Sequence, residues 1–143
     1  MQILKKIYFI CTGNSCRSQM AEGLAKKYLP NWEVRSAGVE VHGLNPRAVE
    51  SMKEIDIDIS HNTSNLIDTD YFNSCDFVVT LCGDAKDKCP MVPQGVTHLH
   101  WGLPDPAQAT GSEEGIMRVF REVRNQIEQK IISFSENSHI IVN

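Results

Sequence analysis

Hydrophobic residues recur along the chain with two different spacings, one typical of strands and one typical of helices. These spacings predict strands that alternate with helices. Apolar or alternating runs of four or five residues suit short strands, and runs without polar interruptions suit buried parallel strands. The predicted strands span residues 7–10, 32–36, 77–81 and 96–99. The pattern of the last strand is the weakest of the four.

Apolar residues at helical spacing predict helices between these strands and after the last one. One helix is predicted over residues 19–28. A second begins at Asn45 and Pro46, which suit the N-cap and the first helical position, and runs to about residue 55. Asp68 indicates a small capped turn of helix. The apolar stripe of the C-terminal helix comprises Ile116, Val119, Phe120, Val123, Ile127 and Ile131.

Strands that alternate with helices predict the α/β class. We expect residues 1–143 to form one domain, built on a four-stranded parallel sheet with helices on both faces. Ligands of such folds bind beyond the carboxyl ends of the strands. Cys11, Cys82 and Asp105 follow predicted strands, so we expect them at one edge of the sheet. Thr110 and Glu113 have the spacing of a capping box before the last helix.

Composition narrows the classes of function. The 143 residues, 41% of them hydrophobic, suffice for one domain with a core, and no stretch is apolar enough to cross a membrane. Fourteen basic and eighteen acidic residues give a net charge of −4 without a basic block, which argues against a nucleic-acid partner. Five cysteines without a secretion signal favour reduced thiols in the cytoplasm, where a disulfide is transient. We expect a monomer.

A polar loop, residues 11–18, joins the first strand to the first helix. Unpaired N–H groups at a helix start attract an oxyanion, and Arg17 supplies a planar fork for two of its oxygens. The same field favours the thiolate of Cys11, a candidate nucleophile. Gly13 is expected to allow a tight turn, and Ser18 to cap the helix or donate to the Cys11 sulfur. The alternative is a phosphate-binding turn with an inert cysteine.

Cys82 and Cys89 form a second informative pair. If the segment between them is helical, their Cα atoms lie roughly 10 Å apart, whereas a disulfide needs them within about 7 Å. Gly83 and Pro90 weaken a helix here. The pair is therefore either a redox-switched segment or a buried cysteine with an exposed bystander, and the residues alone leave both open.

A zinc site competes with the anion site as an interpretation of the cysteines. It would use Cys11, Cys16, Cys82 and Cys89. Arg17 would place positive charge beside the metal, and an anion accounts better for the glycine and hydroxyls of the loop. We therefore predict no metal. Cys16 is expected to matter through its backbone, and Cys75, just before a strand, to be structural.

The loop motif carries a family resemblance. A cysteine, five residues and Arg-Ser after the first strand resemble the loop of low-molecular-weight protein tyrosine phosphatases. The string from Cys11 to Gly23 is similar to that of thioredoxin-coupled arsenate reductases, a branch of the same superfamily. That branch carries a cysteine pair where this chain has Cys82 and Cys89. The resemblance covers nearly the whole chain.

The resemblance implies reduction of arsenate to arsenite by three cysteines. Cys11 attacks arsenic, Cys82 attacks Cys11 and releases arsenite, and Cys89 then moves the disulfide to the surface, where thioredoxin reduces it. Asp105 is the implied general acid and Arg17 the clamp. No bound cofactor is implied. The implied substrate-binding residues are Thr12, Gly13, Asn14, Ser15, Cys16, Arg17 and Ser18, of which Asn14 and Ser18 hold the loop and its thiolate.

Two alternatives remain beside this reaction. One is a phosphatase that acts on phosphotyrosine or small phosphate esters. The other is a non-catalytic oxyanion or redox sensor. Phosphatases of the family usually have aromatic residues after the Asp-Pro, whereas residues 107–109 here are Ala-Gln-Ala. This difference indicates a site for a small bare oxyanion.

The resemblance also indicates a ligand set for a cation, and the histidines complete the candidate residues. Some reductases bind potassium behind the loop through residues that match Asn14, Glu22, Ser36 and Thr63. Asn65 stands where that site has an acidic residue, and the loss of this carboxylate argues against potassium binding. Of the five histidines, His61 is expected at the surface, His98 and His100 are expected to be structural, and His42 and His139 have no predicted role.

Overall fold

Four parallel strands form the sheet of this protein. The computed structural model describes residues 4–83 and 88–142. The strands are β1 (Lys5–Cys11), β2 (Trp32–Gly38), β3 (Phe77–Cys82) and β4 (Thr97–Leu103). Their order across the sheet is β2-β1-β3-β4, and each neighbouring pair is parallel. The predicted four-stranded parallel sheet is confirmed.

Helices connect the strands and cover both faces of the sheet. They are α1 (Arg17–Tyr28), α2 (Pro46–Lys53), α3 (Thr69–Ser74) and α4 (Glu113–Val142), with a single 3-10 turn at Pro106–Gln108. The α/β class is therefore confirmed. No helix in the described ranges is long and apolar enough to cross a membrane.

Alternation along β1 divides the core between the two faces of the sheet. Ile7 and Phe9 belong to the larger hydrophobic cluster, together with residues of α1, α2 and α4. Tyr8 and Ile10 belong to a smaller cluster on the opposite face, which α3 covers. Because the strand is buried on both sides, its sequence is a continuous apolar run.

Helix α4 carries the apolar stripe that its spacing predicts. Its fully buried hydrophobic residues are Phe120, Val123, Ile127 and Ile131. Ile116 and Val119 pack at the edge of the same cluster. The helix continues to Val142, through residues for which the sequence predicts no role.

Two predicted helix starts are confirmed. The side chain of Asn45 accepts the N–H of Arg47 at 2.8 Å, with Pro46 at the first helical position. Asp68 caps α3 in the same way, through the N–H of Tyr71 at 3.2 Å. These caps hold the connections that lead away from β2 and back to β3.

The predicted capping box of Thr110 and Glu113 is wrong. Ser112 caps α4 instead, since its hydroxyl accepts the N–H of Gly115 at 3.1 Å. Gly111 has φ of 113° and turns the chain between Thr110 and the helix. A hydroxyl two residues further along is therefore the one at the helix start.

Candidate active site

The carboxyl ends of β1, β3 and β4 bring the predicted functional residues to one edge of the sheet. Ile10 pairs with Thr80, so Cys11 and Cys82 end neighbouring strands. Asp105 lies two residues beyond the end of β4. The expectation that these three residues share one edge is confirmed.

The loop after β1 turns at Asn14, which has φ of 49°. Asparagine adopts this left-handed conformation more readily than most residues. The sharp turn expected at Gly13 therefore lies one residue later. Glycine is needed at position 13 for another reason, because a Cβ there would lie 2.3 Å from Nδ1 of His42.

Buried hydrogen bonds connect Asn14 to the candidate nucleophile. Nδ2 of Asn14 donates to Ser18 Oγ at 2.7 Å and to Ser36 Oγ at 3.0 Å. Ser18 Oγ lies 2.9 Å from the sulfur of Cys11. Because Ser18 accepts from Asn14, its own proton is available to the sulfur. The predicted sulfur contact is confirmed, whereas capping by Ser18 is wrong, since no side chain caps α1.

Arg17 is held at the floor of the site by the ends of two strands. Its side chain is only 2% exposed. Nη1 donates to the carbonyl oxygens of Leu103 at 3.0 Å and Leu81 at 3.3 Å. Nη2 lies 3.7 Å from Oδ2 of Asp105. These contacts orient the guanidinium before any anion arrives.

Asp105 is oriented from its other oxygen as well. Its Oδ1 accepts the N–H of Ala107 at 3.0 Å and so caps the 3-10 turn. The flanking prolines, Pro104 and Pro106, stiffen this turn. The carboxyl group therefore lies beside Arg17 in a fixed orientation and keeps some solvent access, being 20% exposed.

A small cavity of about 50 Å³ lies between the loop, Asp105 and the segment after β2. Its lining residues are Cys11, Gly13, Ser15, Cys16, Arg17, His42, Asp105, Ala107 and Gln108. Of the predicted substrate-binding residues, Thr12, Asn14 and Ser18 are outside this lining. Two larger cavities, about 350 and 410 Å³, lie beside the start of β4 and beside α2, away from Cys11.

The sequence interpretation missed His42 in this lining, and it noted Ala107 and Gln108 only as non-aromatic residues after the Asp-Pro. The available signal was their distance from a strand end. His42 follows the end of β2 by four residues, and Gln108 follows the end of β4 by five. Both segments therefore begin at the edge of the sheet that holds Cys11.

Cys82 and Cys89 form a disulfide, with their Cα atoms 6.0 Å apart. Cys82 is buried and Cys89 exposed. Residues 84–87, over which a helix was considered, lie outside the described residues, but the Cα separation is within the range of a disulfide. Neither sulfur is then available to zinc, and no group of three metal-ligating side chains occurs among the residues described.

The remaining cysteines, Cys11, Cys16 and Cys75, are free and buried. Burial raises the pKa of the Cys16 thiol to about 12 and that of Cys75 to about 11. Both are therefore protonated thiols at neutral pH. The Ser18 hydroxyl lies 2.9 Å from the sulfur of Cys11, whereas the hydroxyl that contacts the sulfur of Cys16, that of Ser15, is 3.6 Å away.

The residues that match the potassium site lie together behind the loop and are joined by hydrogen bonds. Glu22 accepts hydrogen bonds from Ser36 at 2.9 Å and from Asn62 at 3.0 Å, and the Lys26 ammonium lies 3.1 Å from it. The hydroxyl of Thr63 donates to Asn65, which replaces the expected carboxylate.

Three of the histidines have the positions expected of them. His98 and His100 both contact the hydroxyl of Thr80, at 2.8 and 2.7 Å, inside β3 and β4 rather than at the site. Burial lowers the pKa of His98. His61 is exposed. The side chain of His139 lies outside the described residues.

Comparison with known proteins agrees with this geometry. Residues 6–139 match the low molecular weight phosphotyrosine protein phosphatase family. The chain is 59% identical over 133 residues to the arsenate reductase of Bacillus subtilis (strain 168), which covers 92% of this chain and 96% of that protein.

Two solved structures are also similar. An arsenate reductase in the phosphate binding state has a TM-score of 0.78 and 34% identity, over 94% of this chain and 98% of that one. A thioredoxin-dependent arsenate reductase from Corynebacterium glutamicum has a TM-score of 0.69 and 28% identity, over 94% of this chain and 63% of that one. The chain therefore belongs to the low molecular weight phosphotyrosine protein phosphatase family, within its arsenate reductase branch.

Proposed function

We propose that this protein reduces arsenate to arsenite by a relay of three cysteines, which leaves two of them oxidised to a disulfide, and that thioredoxin restores the thiols. One observation carries the proposal. A disulfide joins buried Cys82 to exposed Cys89, and Cys82 ends the strand next to that of Cys11, whose free thiol lines the cavity. This is the state expected after two electrons have left the protein and before its reduction. The high identity to arsenate reductases supports the same substrate.

The first step is attack of the Cys11 thiolate on arsenic. A sulfur–arsenic bond forms and one oxygen of arsenate leaves as water, with a proton from Asp105. Arg17 balances the charge of the remaining oxygens, and its hydrogen bonds to the ends of β3 and β4 limit its movement. Ser18 donates a hydrogen bond to the attacking sulfur.

The second and third steps exchange sulfurs. Cys82 attacks the sulfur of Cys11, and the electron pair of the sulfur–arsenic bond passes to arsenic, which leaves as arsenite. Cys89 then attacks Cys82 and releases the Cys11 thiolate. The product of these steps is the Cys82–Cys89 disulfide, which a dithiol reduces by the same exchange. Because Cys82 ends the strand next to that of Cys11, the first exchange starts from neighbouring positions.

Thioredoxin is the reductant that we propose. Cys89 is exposed, so an external thiolate has access to the disulfide from the surface. A similar solved structure is a thioredoxin-dependent arsenate reductase. The reaction as written uses no bound cofactor and no metal ion. A monomer carries every residue that it uses, and the free thiols favour a cytoplasmic location.

Slow hydrolysis of small phosphate esters is a second activity of the same site. The nucleophile, the arginine and the acid that arsenate requires are also those of a phosphatase of this family. Ligand sites for drug-sized molecules have volumes of about 300–1,000 Å³, whereas this cavity measures about 50 Å³. A bare oxyanion is therefore the better substrate, and phosphotyrosine a poor one.

The deciding experiment couples the protein to thioredoxin, thioredoxin reductase and NADPH, and follows NADPH oxidation on addition of arsenate. We expect turnover with arsenate and much weaker hydrolysis of a phosphotyrosine peptide. Binding of arsenate without turnover would instead identify a sensor. Faster hydrolysis of the peptide than reduction of arsenate would identify a phosphatase.

Three cysteine variants test the relay. Cys11→Ser should abolish both arsenate reduction and aryl phosphate hydrolysis. Cys82→Ser and Cys89→Ser should abolish turnover with thioredoxin but keep the hydrolysis, since only Cys11 attacks phosphorus. Cys75→Ser is the matched control, because this thiol is buried on the opposite face of the sheet. Native turnover of Cys82→Ser would contradict the relay.

A further inference from the structure

His42 belongs to the wall of the oxyanion cavity, although it is outside the loop that carries the nucleophile. It follows β2, which ends at Gly38, and its side chain is about half exposed. The reaction proposed above assigns it no chemical step. Hydrogen bonds nevertheless hold both its backbone and its side chain.

Backbone hydrogen bonds attach the His42 segment to the oxyanion loop. The N–H of His42 donates to the carbonyl of Gly13 at 3.0 Å, and the N–H of Glu40 donates to that of Thr12 at 2.8 Å. The imidazole then packs directly on Gly13. A Cβ at position 13 would lie 2.3 Å from Nδ1 and 2.9 Å from Cβ of His42. The ring therefore occupies space that any other residue at position 13 would need.

The side chain of His42 is held from its outer nitrogen. Nε2 lies 2.7 Å from Oε1 of Glu40, which as a carboxylate can only accept the hydrogen bond. The other oxygen of Glu40 accepts from the Lys88 ammonium. Hydrogen bonds from Lys88, and then from His42, lower the pKa of Glu40. The carboxylate thus stays charged at neutral pH and keeps Nδ1 of the ring on the side of Gly13.

Lys88 connects this arrangement to the disulfide. It directly precedes Cys89, and its backbone N–H donates to the hydroxyl of Thr12 at 3.1 Å. Lys88, Glu40 and His42 therefore form a continuous chain of contacts from the disulfide segment to the cavity wall.

The volume of the cavity limits the size of the molecule that fits inside it. One water molecule needs about 10–15 Å³ of such space, so about 50 Å³ suits a group of a few oxygens. A tetrahedral anion meets this limit, but an ester must extend its substituent past the wall. The lining includes His42 from the segment after β2, and Ala107 and Gln108 from the turn after Asp105.

We propose that His42 is a specificity-determining residue, which admits a bare tetrahedral oxyanion and excludes its aryl esters. Glu40 and Lys88 are positioning residues that hold the imidazole on Gly13. The inference rests on the proposed function for its natural substrate. The measured hydrolysis of an aryl ester, however, requires only that Cys11 acts as the nucleophile.

The test compares His42→Ala with the native protein on two substrates. Hydrolysis of p-nitrophenyl phosphate is measured with the Cys82–Cys89 disulfide intact, and arsenate reduction in the assay coupled to thioredoxin. We expect His42→Ala to raise kcat/KM for the ester, mainly through KM, and so to raise the ratio of kcat/KM for the ester to that for arsenate at least fivefold. An equal change on both substrates, or no change on the ester, would overturn the proposal.

Two variants separate the effect of the size of the His42 side chain from the effect of its charge. His42→Phe keeps a ring of similar width but loses both the titratable nitrogen and the hydrogen bond to Glu40, so ester hydrolysis should rise no more than in Glu40→Ala. Glu40→Ala removes the support of the ring and should raise ester hydrolysis, but less than His42→Ala. If His42→Phe hydrolyses the ester as fast as His42→Ala does, the charge of His42 and not its size excludes the ester. That result would overturn the proposal.

His61→Ala is the matched control, since His61 is an exposed histidine outside the cavity lining. It should leave both activities unchanged, and a rise in ester hydrolysis equal to that of His42→Ala would count against the proposal. The two proposals also fail separately. A native protein that does not reduce arsenate disproves the reductase function, while the ester comparison still measures the effect of His42.

Discussion

Replacement of Ser18 by alanine tests how the fold prepares its nucleophile. The Ser18 hydroxyl is fully buried, lies 2.9 Å from the Cys11 sulfur and accepts from Asn14 at 2.7 Å. The variant removes the one hydroxyl proton that this network directs at the sulfur. It also leaves a buried N–H of Asn14 without its acceptor.

The expected magnitude follows from the two lost contacts. A hydrogen bond to a charged group contributes about 1.5–3 kcal/mol. Since about 1.36 kcal/mol corresponds to a tenfold change in rate, Cys11 should react roughly 10- to 150-fold more slowly. The orphaned N–H of Asn14 should in addition lower the free energy of unfolding by about 1–3 kcal/mol.

Alkylation by iodoacetamide at pH 7 measures the reactivity directly. The modified Cys11 peptide is quantified by mass spectrometry in protein with the Cys82–Cys89 disulfide intact. Cys16 is an internal reference, because burial keeps it protonated and slow to react. Ser51→Ala is the matched control, since it removes another fully buried serine hydroxyl, on α2. Alkylation of Cys11 in Ser18→Ala within twofold of native would refute the reasoning.

Three further predictions concern stability and packing. Hydrogen bonds from Arg121 and Arg124 hold the pKa of Glu54 below the usual 4.5. The ion pairs therefore stabilise the fold at neutral pH, and this stabilisation is lost as the pH falls below about 4.5. Glu54→Gln should lower the free energy of unfolding in urea by about 1 kcal/mol at pH 7 and by less at pH 3. Phe120→Ala should lower it by about 3–5 kcal/mol, because the ring is fully buried against the sheet. Gly13→Ala should reduce arsenate turnover, and reduce it less in protein that also carries His42→Ala, since its added Cβ collides with that ring.

Each of these predictions has a control and an outcome that contradicts it. Glu50→Gln, an exposed change on α2 one turn before Glu54, should alter stability little at either pH. Equal destabilisation by Glu54→Gln at both pH values would exclude the ion pairs as its cause. Phe134→Ala, at a partly buried position on α4, should cost less than Phe120→Ala. Full additivity of Gly13→Ala and His42→Ala would show that the two side chains do not collide.

The sequence predicts the sheet and most helices because their signals are local. β1 is buried on both faces, so its residues alone identify it as an inner strand. Asn45 and Pro46 mark the start of α2 through neighbouring atoms only. The position of Cys11 and Cys82 at one edge then follows from the rule that parallel strands end together.

The parts that the sequence did not predict depend on contacts between distant residues. His42 reaches the cavity because β2 pairs with β1 and returns its following segment to Gly13. No local pattern around His42 contains that information. The error at Thr110 has another cause, because the backbone turn at Gly111 decides which of two nearby hydroxyls meets the helix start.

The attachment of Arg17 has a mechanical consequence. One of the carbonyls that it contacts belongs to Leu81, the residue immediately before Cys82. If the peptide unit between these residues rotates to bring Cys82 toward Cys11, the same rotation displaces one support of the guanidinium. Sulfur transfer and a weakened grip on the departing arsenite would then be two results of a single backbone torsion.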